Sequence, residues 1–142
     1  MSTPIRRDIL QGWEVVVIDD EPDSLEVASR ILRFYGANVY TASNGKEGLE
    51  LIRHHRPKFV ISDLSMPVMD GWEMLFEIQQ DRHIAQIPII ALTAHAMMGD
   101  RTRAIEAGFY NYLTKPLTPS TFMGDLLRLL MDVPDFQAVL SA

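Results

Sequence analysis

The stretch Glu14-Val15-Val16-Val17-Ile18-Asp19-Asp20-Glu21-Pro22 sets four uninterrupted β-branched residues directly before three acids and a proline. Consecutive β-branched side chains point to alternate sides of an extended chain, so a run with no polar interruption predicts a strand over 14–18 buried on both faces. Such a strand belongs inside a parallel sheet covered by helices on each side. Pro22 suits the first position of a helix, and Leu25, Ala28, Leu32 and Tyr35 then fall on one face until Gly36 stops it.

The same alternation of short aliphatic run and amphipathic stretch repeats along the chain. Further strands are predicted at 38–41, 58–62, 87–92 and 109–113, and further helices at 46–54, 72–80, 98–107 and 120–131. Five β/α units could form half of a Rossmann-like sheet or a flavodoxin-like one. The better fit is an α/β fold of the flavodoxin-like (βα)5 type: a doubly wound, five-stranded parallel sheet of order 2-1-3-4-5 with helices on both faces. In that topology the carboxyl ends of strands one, three, four and five open onto one crevice. Strand one delivers Asp19, Asp20 and Glu21, strand three Asp63, strand four Thr93 and strand five Lys115. Two carboxylates about 4 Å apart at an effective dielectric near 20 repel by roughly 4 kcal/mol, so a cation is required among them. A hard divalent ion such as Mg²⁺, held by a few oxygens and still open to a phosphoryl group, answers that need. Asp63 is then the natural nucleophile, and the cluster predicts phosphoryl transfer to a carboxylate.

Composition narrows the possibilities. The 142 residues are 47% hydrophobic and 23% charged, enough for one globular domain. A net charge of −6 provides no basic patch for nucleic acid, so no direct nucleic-acid partner is expected. There is no cysteine, which removes thiol and disulfide chemistry. No apolar run approaches the roughly 20 residues that span a bilayer, nor does an export signal open the chain. Neither membrane insertion nor export is expected, and the expected location is cytoplasmic.

Four motifs stand at the ends of the predicted strands: Val17-Ile18-Asp19-Asp20-Glu21, then Asp63-Leu64-Ser65-Met66-Pro67-Val68-Met69-Asp70-Gly71, then Ala91-Leu92-Thr93-Ala94, and finally Tyr112-Leu113-Thr114-Lys115-Pro116. Taken together over residues 13–131, they resemble the receiver domains of bacterial response regulators in two-component signalling. The resemblance implies that Asp63 is the phosphoacceptor, that Asp20 binds Mg²⁺ directly and Asp19 through water, and that Ser65 offers the ion its backbone carbonyl. Lys115 would pair with Asp63 or with phosphoryl oxygens. Thr93 would bond the phosphoryl group after transfer while Tyr112 turns inward, changing the surface of helix four, strand five and helix five. The implied partners are a sensor histidine kinase or histidine phosphotransfer protein and a downstream protein of unknown identity. The protein would be a phosphoryl acceptor with weak self-phosphorylation and self-dephosphorylation rather than a turnover enzyme. A homodimer through the helix-four face is admitted, although Tyr110 and Asn111 stand where many receivers carry acids, which weakens charge-paired association.

Residues 1–12 read as a loose arm and 132–142 as a tail or truncated linker. Glu21 reads as a helix-start acid only, and the 66–71 segment as turn chemistry with Gly71 supplying an unusual backbone conformation. His54, His55, His83 and His95 show no metal-ligand spacing and read as surface residues. The last helix carries more apolar residues than one stripe needs, so part of it is either a wide core face or a partner surface. Three other readings differ in class. A phosphatase with an aspartyl intermediate needs a second acid two residues after the nucleophile, where Ser65 stands. A flavin carrier needs a phosphate cradle after strand one, where acids would repel phosphate. A receiver-like interaction module that is never phosphorylated remains the alternative.

Overall fold

The computed structural model describes residues 5–94 and 98–140. Five strands, β1 (Glu14–Ile18), β2 (Asn38–Ala42), β3 (Phe59–Asp63), β4 (Ile89–Thr93) and β5 (Asn111–Thr114), alternate with helices α1 (Pro22–Phe34), α2 (Gly45–His55), α3 (Gly71–Gln80), α4 (Met98–Ala107) and α5 (Pro119–Leu130). All pairings are parallel and the order is β2-β1-β3-β4-β5. This is the flavodoxin-like topology expected from the strand and helix periodicity.

The alternation inside β1 explains the layering. Val15 and Val17 join Ala28, Leu32, Phe122 and Leu126 beneath α1 and α5. Val16 and Ile18 join Leu49, Ile52, Met74 and Ile78 beneath α2 and α3. From Val15 to Ile18 every β1 residue is shut from solvent on one side or the other, so this strand carries no polar residue there until it emerges at Asp19.

Two strands, β4 and β5, start two residues later than expected, for identifiable reasons. Phe109 was expected to begin strand five, but its N–H closes the end of α4 on the Ala104 carbonyl at 3.0 Å. Ladder bonding starts one residue later, where the Tyr110 N–H reaches the Ile89 carbonyl at 2.8 Å. Ile87 and Pro88 precede β4, where the Pro88 carbonyl accepts from Val60 at 3.0 Å.

The chain ends depart further from expectation. Rather than forming a loose arm throughout, the N-terminal segment is tied down from Ile9: Ile9 and Leu10 are buried, and the Leu10 N–H donates to the Tyr35 carbonyl at 2.9 Å. Within 132–142, a sixth helix α6 (Pro134–Leu140) buries Phe136 and Leu140 in the α1/α5 core. The Phe136 ring meets Trp13 at 4.9 Å between centroids. This packing answers the question posed by the apolar last helix. Phe122, Met123, Leu126 and Leu130 of α5 are buried, while Leu127, Leu129 and Met131 are half-buried against the same core. The wide stripe is a core face. Phe136→Ala is accordingly expected to lower unfolding stability by about 3 kcal/mol, measured by urea denaturation; a change near zero would mean that α6 does not pack on Trp13 in solution.

Candidate functional site

Each strand-end residue reaches the crevice because the sheet register delivers it there. Ile18 pairs with Ser62 and Asp63 with Leu92, so Asp19 and Thr93 emerge on either side of Asp63. The Lys115 N–H continues the last ladder to the Thr93 carbonyl at 2.8 Å, which sets the lysine side chain over the same edge. The resulting crevice, about 400 Å³, is lined by Asp20, Glu21, Asp63, Thr93, Arg103 and Lys115 among others.

The loop after β3 is held by two close approaches. A Cβ on Gly71 would meet the Asp63 carbonyl oxygen at 2.4 Å, and one on Gly45 would meet the Met69 carbonyl oxygen at 2.6 Å. Only glycine lets α3 start directly against the end of β3 and α2 start against the loop. Gly71 therefore serves close contact, not the unusual backbone conformation expected of it. That conformation falls instead on Val68, with φ 67 and 76% exposure. Asp70 closes the loop with a reciprocal cap: its carboxylate accepts from the Glu73 N–H at 2.8 Å and its own N–H donates to Glu73 Oε1 at 3.3 Å.

Carboxylate oxygens of Asp19, Asp20 and Asp63 lie within 4.8 Å of one another. Asp19 and Asp63 are buried and Asp20 is exposed. Lys115 sits among them with its side chain 7% exposed. Its ammonium donates to Asp63 Oδ2 at 3.1 Å, Asp19 Oδ1 at 3.2 Å and Glu21 Oε1 at 2.6 Å. The reading of Glu21 as a helix-start acid alone is thus corrected. Its side chain makes no capping bond to α1 and turns instead across the crevice to Lys115. The lysine ninety-four positions away gave no local signal for that contact.

Burial pushes the Asp63 carboxyl above the usual carboxylate range; the hydrogen bond from Lys115 opposes this and the charge of Asp19 adds to it. Asp20, though exposed, is raised as well, first by partial loss of its hydration against the crevice and then by the charge of Asp63. Burial acts against the Lys115 charge, yet its bonds to Glu21, Asp63 and Asp19 hold its pKa well above the ordinary lysine value. The acids are therefore short of positive charge even with the lysine present. A hard cation fits this deficit. Asp19 Oδ2 is buried without a hydrogen bond, although Lys115 Nζ lies 3.1 Å away, and it faces a set made wholly of oxygen donors.

The remaining expected residues are placed as follows. Thr93 is buried at the crevice wall. Ser65 is exposed, and its N–H reaches Asp63 Oδ1 at 3.4 Å. Tyr112 is half-buried, with the Arg101 guanidinium 4.8 Å from its ring centroid. His54 and His83 are exposed, whereas His55 stacks on Tyr40 at 3.6 Å; His95 lies outside the described residues. Sequence reading did not anticipate Arg103, which lines the crevice with its guanidinium 5.1 Å from the Trp72 ring. Its position in the middle of α4 gave no sign of that.

A doubly wound α/β domain thus gathers three carboxylates and a lysine at the carboxyl ends of its strands. The chain belongs to the response regulator receiver domain family, whose model matches residues 15–126. It is 39% identical over 121 residues to an uncharacterized 14.6 kDa protein of Leptolyngbya boryana, covering 85% of this chain and 89% of that one. Among solved structures, the chemotaxis response regulator CheY4 of Vibrio cholerae is 30% identical with a TM-score of 0.78, covering 83% of this chain and 98% of its own. The receiver domain of the sensor histidine kinase PA1611 of Pseudomonas aeruginosa, solved with a magnesium ion in its active site cleft, is 31% identical with a TM-score of 0.74, covering 84% and 98%. The chain spans about half the length of several other relatives. Receiver domains act in two-component signalling by engaging histidine kinases and downstream proteins. Among the described residues no helix is long and apolar enough to cross a membrane.

Proposed function

We propose that this receiver accepts a phosphoryl group on Asp63 from the phosphohistidine of a sensor kinase or histidine phosphotransfer protein. The observation carrying this reading is the buried Asp63 carboxylate, held beside Asp19 and Asp20 with the Lys115 ammonium at 3.1 Å. An Asp63 oxygen attacks phosphorus, an O–P bond forms as the N–P bond breaks, and the imidazole leaves with the electron pair. Asp19, Asp20, Asp63 and the Ser65 carbonyl would hold Mg²⁺. When bound, the ion supplies positive charge to oxygens of the transferring group. Lys115 is placed to share that charge from the other side. Thr93 would then donate its hydroxyl to a phosphoryl oxygen, and Tyr112 would move inward, altering the α4, β5 and α5 surface that a downstream protein or a second copy reads.

With Ser65 in place of a second acid, no side chain at that position activates water, so self-dephosphorylation would be slow; the protein, with only weak self-phosphorylation, would act as a switch, in the cytoplasm. Incubation with Mg²⁺ and acetyl phosphate is expected to add one labile phosphoryl group by intact mass, and chelation to prevent it. An unchanged mass would favour the alternative, a receiver-like interaction module that is not phosphorylated.

A further inference from the structure

We infer that Glu21 is a resting-state latch on Lys115, a positioning residue that must release the ammonium before phosphoryl oxygens can take it. This rests on Asp63 being the phosphoacceptor. An ammonium has three donors, and Lys115 spends them on three carboxylates, those of Asp19, Asp63 and Glu21. No donor is left for an incoming phosphoryl oxygen, so one carboxylate has to let go. Asp63 itself carries the new group. Asp19 is wholly buried, with its side chain 0% exposed and its Oδ1 also accepting from the Glu21 N–H at 2.9 Å, so it is held in place by the main chain. Glu21 is different. Its side chain is 62% exposed, so a released carboxylate rehydrates at small cost.

The backbone at Glu21 keeps the latch in place without immobilising it. Its N–H is bound to Asp19 and its carbonyl accepts from Leu25 at 3.1 Å, so the main chain is fixed on both sides while the side chain reaches across the crevice mouth. Its contact with Lys115, at 2.6 Å, is the shortest of the three. Two effects then act in the same direction. The latch stabilises the unphosphorylated state by occupying Lys115, and its negative charge stands at the crevice where an anionic donor enters.

The test compares the intact chain with Glu21→Gln and Glu21→Asp, each at its own saturating Mg²⁺, with acetyl phosphate as the donor. Rate of phosphoryl gain and steady-state occupancy are followed by intact mass, at about 0.05 M and about 0.5 M salt. Glu21→Gln is expected to raise the rate roughly three- to tenfold at low salt, with a smaller ratio at high salt, and to raise occupancy at limiting donor. Glu21→Asp keeps the charge but shortens the reach by one methylene, so it is expected to match the raised occupancy of Glu21→Gln. If wild type gains the phosphoryl group and both variants match it within about twofold, or fall below it, the latch is wrong while the phosphoacceptor reading stands. If wild type gains none, the phosphoacceptor reading fails and takes the latch with it. Thermal unfolding of the variants identifies any effect due to loss of fold.

Discussion

Asp63→Asn is expected to abolish phosphoryl incorporation from acetyl phosphate, by roughly a hundredfold or more, while making the cation-free protein more stable. The two effects share one cause. An amide has no anionic oxygen to attack phosphorus, so the acyl phosphate cannot form. The same amide removes a charge that the folded state holds at a net cost, because burial and Asp19 together outweigh the pull of Lys115 on Asp63. A carboxyl whose pKa is raised on folding keeps its proton where the unfolded chain has lost it. Its contribution to stability therefore falls as pH rises from the ordinary carboxylate value through the raised one, and the penalty is complete once pH has passed the raised value. In chelator, at pH above that raised value, Asp63→Asn should be more stable than wild type. The advantage should vanish as pH is lowered into the range where Asp63 is protonated. Urea denaturation across pH measures it; equal stabilities throughout would show that the carboxylate is not strained by its surroundings. Continued phosphoryl gain by the variant would place the acceptor elsewhere.

Lys115→Ala is expected to give the largest stability loss at the site, about 3 kcal/mol in chelator at neutral pH. The substitution strands Asp19, which is buried and already has one oxygen without a hydrogen bond, beside Asp63 with no cation between them. With the opposing hydrogen bond gone, the Asp63 carboxyl rises further above its ordinary range. By the same linkage, the loss should be smallest in acid, where the folded state holds the proton, and grow as pH rises through that window. Mg²⁺ at about ten times the variant's own dissociation constant should return roughly 1.4 kcal/mol to the variant, about half of that loss, because the ion binds only the folded state. A loss of equal size in acid and at neutral pH would mean that Lys115 contributes through packing rather than charge.

Much of this site could be read from the chain alone because strand-end residues are fixed by local rules. An unbroken apolar run such as 14–18 must be covered on both faces, and the first polar residues after it must emerge at an edge. Asp19, Asp20, Asp63, Thr93 and Lys115 were found that way. Val68 and Gly71 show where local rules failed. Turn chemistry assigned the left-handed conformation to glycine, but close packing against the Asp63 carbonyl claimed Gly71 and left the positive φ to a valine. Glu21 failed for a related reason: an acid before a helix has a sufficient local purpose, and nothing in the sequence said that its side chain is released from it.

The sequence by itself determined the order of the five β/α units, the doubly wound sheet and the strand-end side chains that meet at its edge, since periodicity and strand ends are properties of neighbouring residues. Only the tertiary structure decided which acid shares Lys115, which loop residue bears the strain and whether Phe136 and Leu140 hang free or pack. Those outcomes turn on groups far apart in sequence competing for one donor or one volume, and that competition exists only once the chain has closed on itself.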